Sequence, residues 1–302
     1  MKKAYYQLHL AVLLAGFTGI LGRLITLNEV MIVFYRLLLT AVTMWLLFSF
    51  RKSIVPISRG LRLKIMLVGV IAASHWLSFY GSIKYANVSI ALVCFSTLSF
   101  FTALLEPWIL RKAINYAELA LGLVTLAGVY IIFKFDTQYQ TGILIGIISA
   151  FLAALFPILN RELLKETNVD TLLVWQQSGG LLFVLIMVPV YSGISGSFRM
   201  LPSLSDIGWL LVLSWFCSVW AFQLSGAALK KLSAFTVNLT FNLEPVYGIL
   251  LAFAFYREDQ LLSKGFYWGF GLIVAALVVH IWLLVRRERM VTQQGKEPLA
   301  EF

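Results

Sequence analysis

The chain has 302 residues, of which 60% are hydrophobic and only 13% charged, with a mean hydropathy of +0.88 and a formal net charge of +10. A soluble protein of this length needs a charged surface over its core, and there is too little charge here to make one. The basic excess does not signal a nucleic-acid partner, because its distribution along the chain follows the membrane-topology pattern described below.

Stretches of about 20 apolar residues mark helices that cross the ~30 Å hydrocarbon layer. Ten are predicted, at 8–26, 30–50, 65–83, 88–110, 116–133, 142–160, 171–191, 207–228, 233–255 and 265–285. The first, within "MKKAYYQLHLAVLLAGFTGILG", has the look of a secretory signal. Nine more spans follow and it lacks a small-residue cleavage site, so it reads as a retained helix. The second span carries Arg36 about six residues in, placed either to snorkel to the surface or to attract an anionic substrate group. On the third, His75, Ser78 and Ser82 share a stripe flanked by Trp76 and Tyr80. His75 is a titratable ring at mid-span, able to accept or donate a proton near neutral pH.

The fourth span has a stripe of Ser96, Ser99, Thr102 and Glu106, the last close to Arg111 and read as an interfacial pair. The seventh brings Trp175, Gln176 and Gln177, and the eighth Ser214, Ser218 and Ser225 with Trp220. Small hydroxylated residues also glue membrane helices together, as do the glycines Gly16, Gly19, Gly22, Gly142, Gly146, Gly265 and Gly269. Cys94 and Cys217 lie inside spans with no metal-site spacing and read as small apolar filler. His9 and His280 sit nearer span ends and read as interfacial.

The ninth span is the most polar. Treated as one continuous helix, it has Asn238, Asn242, Pro245 and Ile249 on one face, with Thr236, Thr240, Glu244 and Tyr247 nearly opposite. A helix polar on two sides must be enclosed, so this one is central to the bundle. Pro245 frees the carbonyl of Phe241 and predicts a kink there. Glu244 falls near mid-membrane, where a carboxylate is a functional candidate by default. It acts either as a proton carrier or as a structural hydrogen-bonding group for a hydroxyl, Arg36 or Gln177.

With the amino terminus in the cytoplasm, seventeen of the 24 lysines and arginines fall on cytoplasmic segments and five on the opposite side. That is the positive-inside asymmetry, with both termini cytoplasmic. The chain also repeats. "GILGRLITLNEVMIVFYR" (19–36) matches "PILNRELLKETNVDTLLVWQ" (157–176), pairing Arg23 with Arg161, Asn28 with Asn168 and Arg36 with Gln176. "TLSFFTALLEPWIL" (97–110) lies over "NLEPVYGILLAFAF" (242–255), placing Ser99 at the position of Glu244. Gly122 and Gly128 match Gly265 and Gly271. The predicted organisation is a five-helix unit at 1–137, a second at 138–289 and a polar cytoplasmic tail at 290–302. Because five is odd, the second unit enters the membrane inverted, the arrangement of alternating-access transporters. The predicted fold class is all-α integral membrane, ten helices as a five-plus-five inverted repeat.

The five-plus-five arrangement, Arg36 early in the second span, and "ALKKLSAFTVNLTFNLEPVYGILLAFAFYRE" (228–258) together resemble the drug/metabolite transporter superfamily, in particular its EamA-type exporters. The resemblance covers the whole chain. Two features depart from the family pattern: Ser99-Phe100 stand where the fourth span often has a proline, and "LLAGFTG" where the first span commonly has a tryptophan. The resemblance implies a bundle around a central cavity and export of amino acids or other small metabolites.

The expected function is therefore a secondary transporter of the bacterial inner membrane, with a small-molecule substrate and membrane lipid as its partners, as a monomer or homodimer. Substrate contacts are expected at Asn238, Asn242, His75, Trp76, Tyr80, Ser99, Gln176, Trp175, Trp220 and Arg36, and ion coupling at Glu244 or His75. No cofactor, metal or nucleic acid is expected. Nucleotide-binding loops, His-Glu-x-x-His sites and Ser-His-Asp sets are absent from the sequence, so ATP-driven transport requires a partner subunit. The rival readings are a membrane-embedded enzyme, which needs acids, histidines or a nucleophile clustered at one depth, and a passive channel or sensor, which has no need of an inverted duplication.

Overall fold

The computed structural model describes residues 2–111, 113–196, 198–229, 232 and 240–293. These fold as helices: α1 (Lys2–Leu24), α2 (Glu29–Phe50), α3 (Arg59–Tyr85), α4 (Val88–Phe95), α5 (Leu98–Leu110), α6 (Tyr116–Phe135), α7 (Gln140–Leu163), α8 (Val169–Ser195), α9 (Leu204–Leu211), α10 (Ala221–Leu229), α11 (Glu244–Tyr256) and α12 (Lys264–Gln293). Among the described residues nine spans are long and apolar enough to cross a membrane, with Glu244–Tyr256 as a shorter apolar helix. The last helix continues to Gln293, into the stretch predicted as a polar tail.

Several spans start where the sequence offers a side-chain cap. Asn28 accepts from the Met31 amide at 2.9 Å and Asn168 from the Thr171 amide at 2.8 Å. The two asparagines paired by the repeat therefore do the same job, satisfying an amide that has no partner within its own helix. Ser58 and Ser203 cap the third and eighth spans in the same way.

Packing follows the inverted repeat. The third span (α3) lies against the sixth and seventh (α7, α8). Its counterpart, the eighth span, lies against the first and second (α1, α2). Likewise α4 and α5 pack on α7, and α11 packs on α1. The pairs α2–α8 and α6–α12 join equivalent helices and so flank the pseudo-twofold axis, which lies in the membrane plane. Glycine permits the closest approaches: a Cβ on Gly128 would stand 2.6 Å from the Gly269 carbonyl oxygen, and one on Gly16 3.0 Å from the Gly248 nitrogen. Gly271, the repeat partner of Gly128 in the sequence, meets nothing within 4 Å.

Three spans depart from the continuous helices predicted. The fourth is broken at Ser96 and Thr97, the ninth at Asn242 and Leu243. The helices beyond the breaks, α5 and α11, are each 13 residues long and end in a left-handed arginine, Arg111 (φ 53) and Arg257 (φ 52). Matching those ends puts Leu98 opposite Glu244 and Ser99 opposite Pro245, one residue from the register read in the sequence. Pro245 sits in the first turn of α11, where its missing N–H costs nothing, so the helix restarts there and does not kink. Of the two polar faces read for the ninth span, Thr236 and Asn238 lie outside the described residues, and the break at Asn242 and Leu243 separates Thr240 from Glu244. The eighth span contains nine residues of π-helix, Val212–Trp220.

Candidate functional site

The π-helical segment is where the sequence's scattered polar residues converge. An extra residue per turn is uncommon, and such segments are frequently found at functional sites. Here it lets the Ser218 hydroxyl donate five residues back to the Leu213 carbonyl at 3.1 Å while accepting from Arg36 Nε at 3.2 Å. Ser214 donates to the backbone carbonyl of Arg36 at 3.4 Å. From α3, the Tyr80 hydroxyl accepts from Arg36 Nη1 at 2.9 Å, and the guanidinium carbon stands 4.5 Å from the centre of the Trp76 ring. Arg36 is only 5% exposed and points into the bundle, which excludes snorkelling.

Its partners are hydroxyls and an aromatic face, none of them anionic. No carboxylate of the described residues lies within 4.0 Å of its nitrogens. A guanidinium removed from water without a counter-ion is costly, which leaves this part of the bundle with uncompensated positive charge among the described residues. One turn further along α2, the buried Thr40 hydroxyl has no hydrogen-bond partner. Glu244, the first residue of α11, is half-buried and within electrostatic reach of Arg36 without forming an ion pair with it. Its position at a helix amino terminus suits a carboxylate.

The other predicted site residues lie elsewhere. His75 is buried in a knot between α3 and α7: its Nδ1 lies 3.0 Å from the Ser149 carbonyl and 2.9 Å from the Ser149 hydroxyl, with Phe79, Phe95 and Phe156 around the ring. Trp175 packs edge-on to Trp45 and under Arg62, toward the end of α3 that holds its basic first turns. Gln176 is buried and accepts from Asn160 at 3.1 Å, so the repeat partner of Arg36 makes a neutral contact. Ser99 is exposed and bonded to its own helix at Ser96, and Trp220 is exposed against Phe216. Asn242 is half-buried in the turn before α11, while Asn238 lies outside the described residues. Of the predicted set, the structure brings together Arg36, Trp76 and Tyr80, with Glu244 nearby.

Two ion pairs went unread in the sequence. At the face where α1 ends, Arg23 pairs with Glu258, just beyond α11. At the opposite face, Arg161 of α7 reaches Glu106 of α5 at 3.2 Å, giving Glu106 a partner from the other repeat besides the neighbourhood of Arg111. The signal was present, since the repeat already matched Arg23 with Arg161.

Comparison with known proteins agrees with this architecture. The profile of the EamA-like transporter family matches twice, at residues 2–134 and 140–282. A protein of Haemophilus influenzae described as an uncharacterized transporter is 22% identical over 242 residues, covering 75% of this chain and 74% of its own. One of Archaeoglobus fulgidus, described in the same words, is 25% identical over 257 residues, covering 82% and 85%. A solved crystal structure superposes over 95% of this chain and 99% of its own with a TM-score of 0.62 and 14% identity, a likeness of fold alone. With two matched units spanning nearly the whole chain, this multi-pass membrane protein belongs to the EamA-like transporter family.

Proposed function

We propose that the protein is a secondary transporter that exports small organic metabolites, amino acids among them, across the bacterial inner membrane by alternating access, with both termini cytoplasmic. The observation that carries the reading is the buried Arg36, framed by Trp76, Tyr80 and Ser218 and lacking an anionic partner of its own. A substrate carboxylate supplies the missing charge, and the Trp76 ring offers an apolar face to the rest of the molecule. The half-buried Glu244 lies on the far side of the same electrostatic field and suits either a substrate ammonium or a transported proton. Two broken helices, the fourth and ninth spans, flank this level of the bundle, as they do around midplane sites in inverted-repeat transporters. Export and the amino-acid class follow from the family resemblance.

The test is transport by purified protein in proteoliposomes loaded with radiolabelled amino acids, with and without a pH gradient. Gradient-dependent movement of a carboxylate-bearing substrate, lost when the carboxylate is replaced by an amide, is the expected result. Equal transport of acid and amide would remove Arg36 from the reading.

A further inference from the structure

The arginines of the two ion pairs are related by the repeat, whereas their glutamates are not: in the register set by Arg111 and Arg257, Glu106 falls opposite Ala252 and not Glu258. Arg23 lies one residue from the end of α1, the first span of the first unit, and Arg161 two residues from the end of α7, the first span of the second. Each arginine reaches a glutamate at the end of the other unit's fourth span: Glu258 follows α11, and Glu106 lies in the last turns of α5. Each pair therefore ties a first span to a fourth span across the boundary between units, once at each membrane face.

The two are not equally seated. Glu258 is fully buried and accepts from the Val88 amide at 3.1 Å, the Ser89 amide at 2.8 Å and the Ser89 hydroxyl at 2.6 Å, as well as from Arg23. It thus caps α4 in addition to holding α1. The Arg23 guanidinium lies 4.3 Å from the Tyr256 ring centre, and the Tyr256 hydroxyl donates to the Ile20 carbonyl at 2.8 Å. The difference lies in the carboxylates: Arg23 is 38% exposed and Arg161 28%, whereas Glu258 is fully buried and Glu106 26% exposed. A buried carboxylate held by two backbone amides and a hydroxyl is anchored more firmly than a part-solvated one, whatever the exposure of its arginine.

We propose that Arg23–Glu258 and Arg161–Glu106, both engaged in this structure, are two latches built on repeat-related arginines that release opposite membrane faces in turn, and that the firmer anchoring of Glu258 makes its face the harder to open. The proposal rests on the alternating-access reading. In an inverted repeat the movement that parts a first span from a fourth at one face brings their counterparts together at the other, so loosening one latch favours opening on its side and closure on the other.

Cys217 is a native reporter. It is buried, one residue before Ser218 on the π-helical segment, at the level of the Arg36 site. In a Cys94→Ala background, a membrane-impermeant maleimide is applied to vesicles of either orientation, without substrate. Arg23→Gln should raise the labelling rate from the Glu258 face at least about tenfold, as expected for loss of a charge-assisted hydrogen bond, and lower it from the other face. Arg161→Gln should do the reverse, and Arg23→Lys should restore most of the original sidedness. Should Arg23→Gln fail to fold, Arg161→Gln on the looser pair decides alone. A rise from both faces together, or no change from either, overturns the latches. Because labelling is read without transport, that failure would leave the transport reading standing, while absent uptake with the expected sidedness would count against transport alone.

Discussion

The two units share backbone landmarks and differ in chemistry. Helices α5 and α11 have the same length, begin after a break and end in a left-handed arginine, yet one opens Leu98-Ser99-Phe100 and the other Glu244-Pro245-Val246. At equivalent places on the second spans, Arg36 is buried among hydroxyls and Trp76, whereas Gln176 accepts from Asn160. On the proposed alternating-access reading, the shared architecture supplies a movement that can run in either direction. Charge placed in one copy but not the other gives that movement a substrate-sized asymmetry to act on, since Arg36 and Glu244 both lie near the middle of the bundle and neither has a charged counterpart in the other unit.

The strongest way to break this comparison is at Arg36. Arg36→Gln makes the two second spans alike at that position and should lower binding of a carboxylate substrate by about a hundredfold, in line with loss of a buried charge-assisted contact. Gln176→Glu, by contrast, should leave the affinity within a few-fold. Binding measured by tryptophan fluorescence in detergent checks both, and an Arg36→Gln protein that binds normally would show the asymmetry to be incidental.

Glu244→Gln tests the second element. If Glu244 carries a proton, the neutral isostere keeps its shape and hydrogen-bonding capacity but cannot titrate. Gradient-driven accumulation should then fall by about tenfold or more while substrate exchange persists. Accumulation at the wild-type rate would leave Glu244 a structural residue.

Smaller effects sharpen the comparison at the level of packing. Gly128→Ala would drive a Cβ to 2.6 Å from the Gly269 carbonyl, whereas Gly271→Ala meets nothing within 4 Å. The first should cost roughly 1–3 kcal/mol as an overpacked helix contact and the second next to nothing, read as thermal unfolding in detergent. Smallest of all, Asn28→Ala and Asn168→Ala should each cost about 1 kcal/mol, because they remove the same cap in the two units. A large difference between these two would mean that equivalent spans are held in different ways.

The membrane-length spans and the duplication could be read from the residues, because hydrocarbon imposes a length and a composition on anything that crosses it. The caps at Asn28 and Asn168 were not read, although the repeat had matched the two asparagines and a cap is a local matter between neighbours in the chain. Arg36 stood out as a charge in an apolar run, but its partners did not, since Trp76, Tyr80 and Ser218 come from other spans and meet it through packing. The breaks before α5 and α11, the π-helical turn and the one-residue shift of register depend on how helices settle against one another, and no periodicity assumed from a regular helix can report them. The same holds for His75, which looked like a proton carrier in the sequence and lies in the fold against Ser149, and for the Arg23–Glu258 pair, whose members stand at opposite ends of the chain. Hydropathy and charge are properties each residue carries along the chain, while a partner for a buried charge exists only once distant helices have been brought within hydrogen-bonding distance.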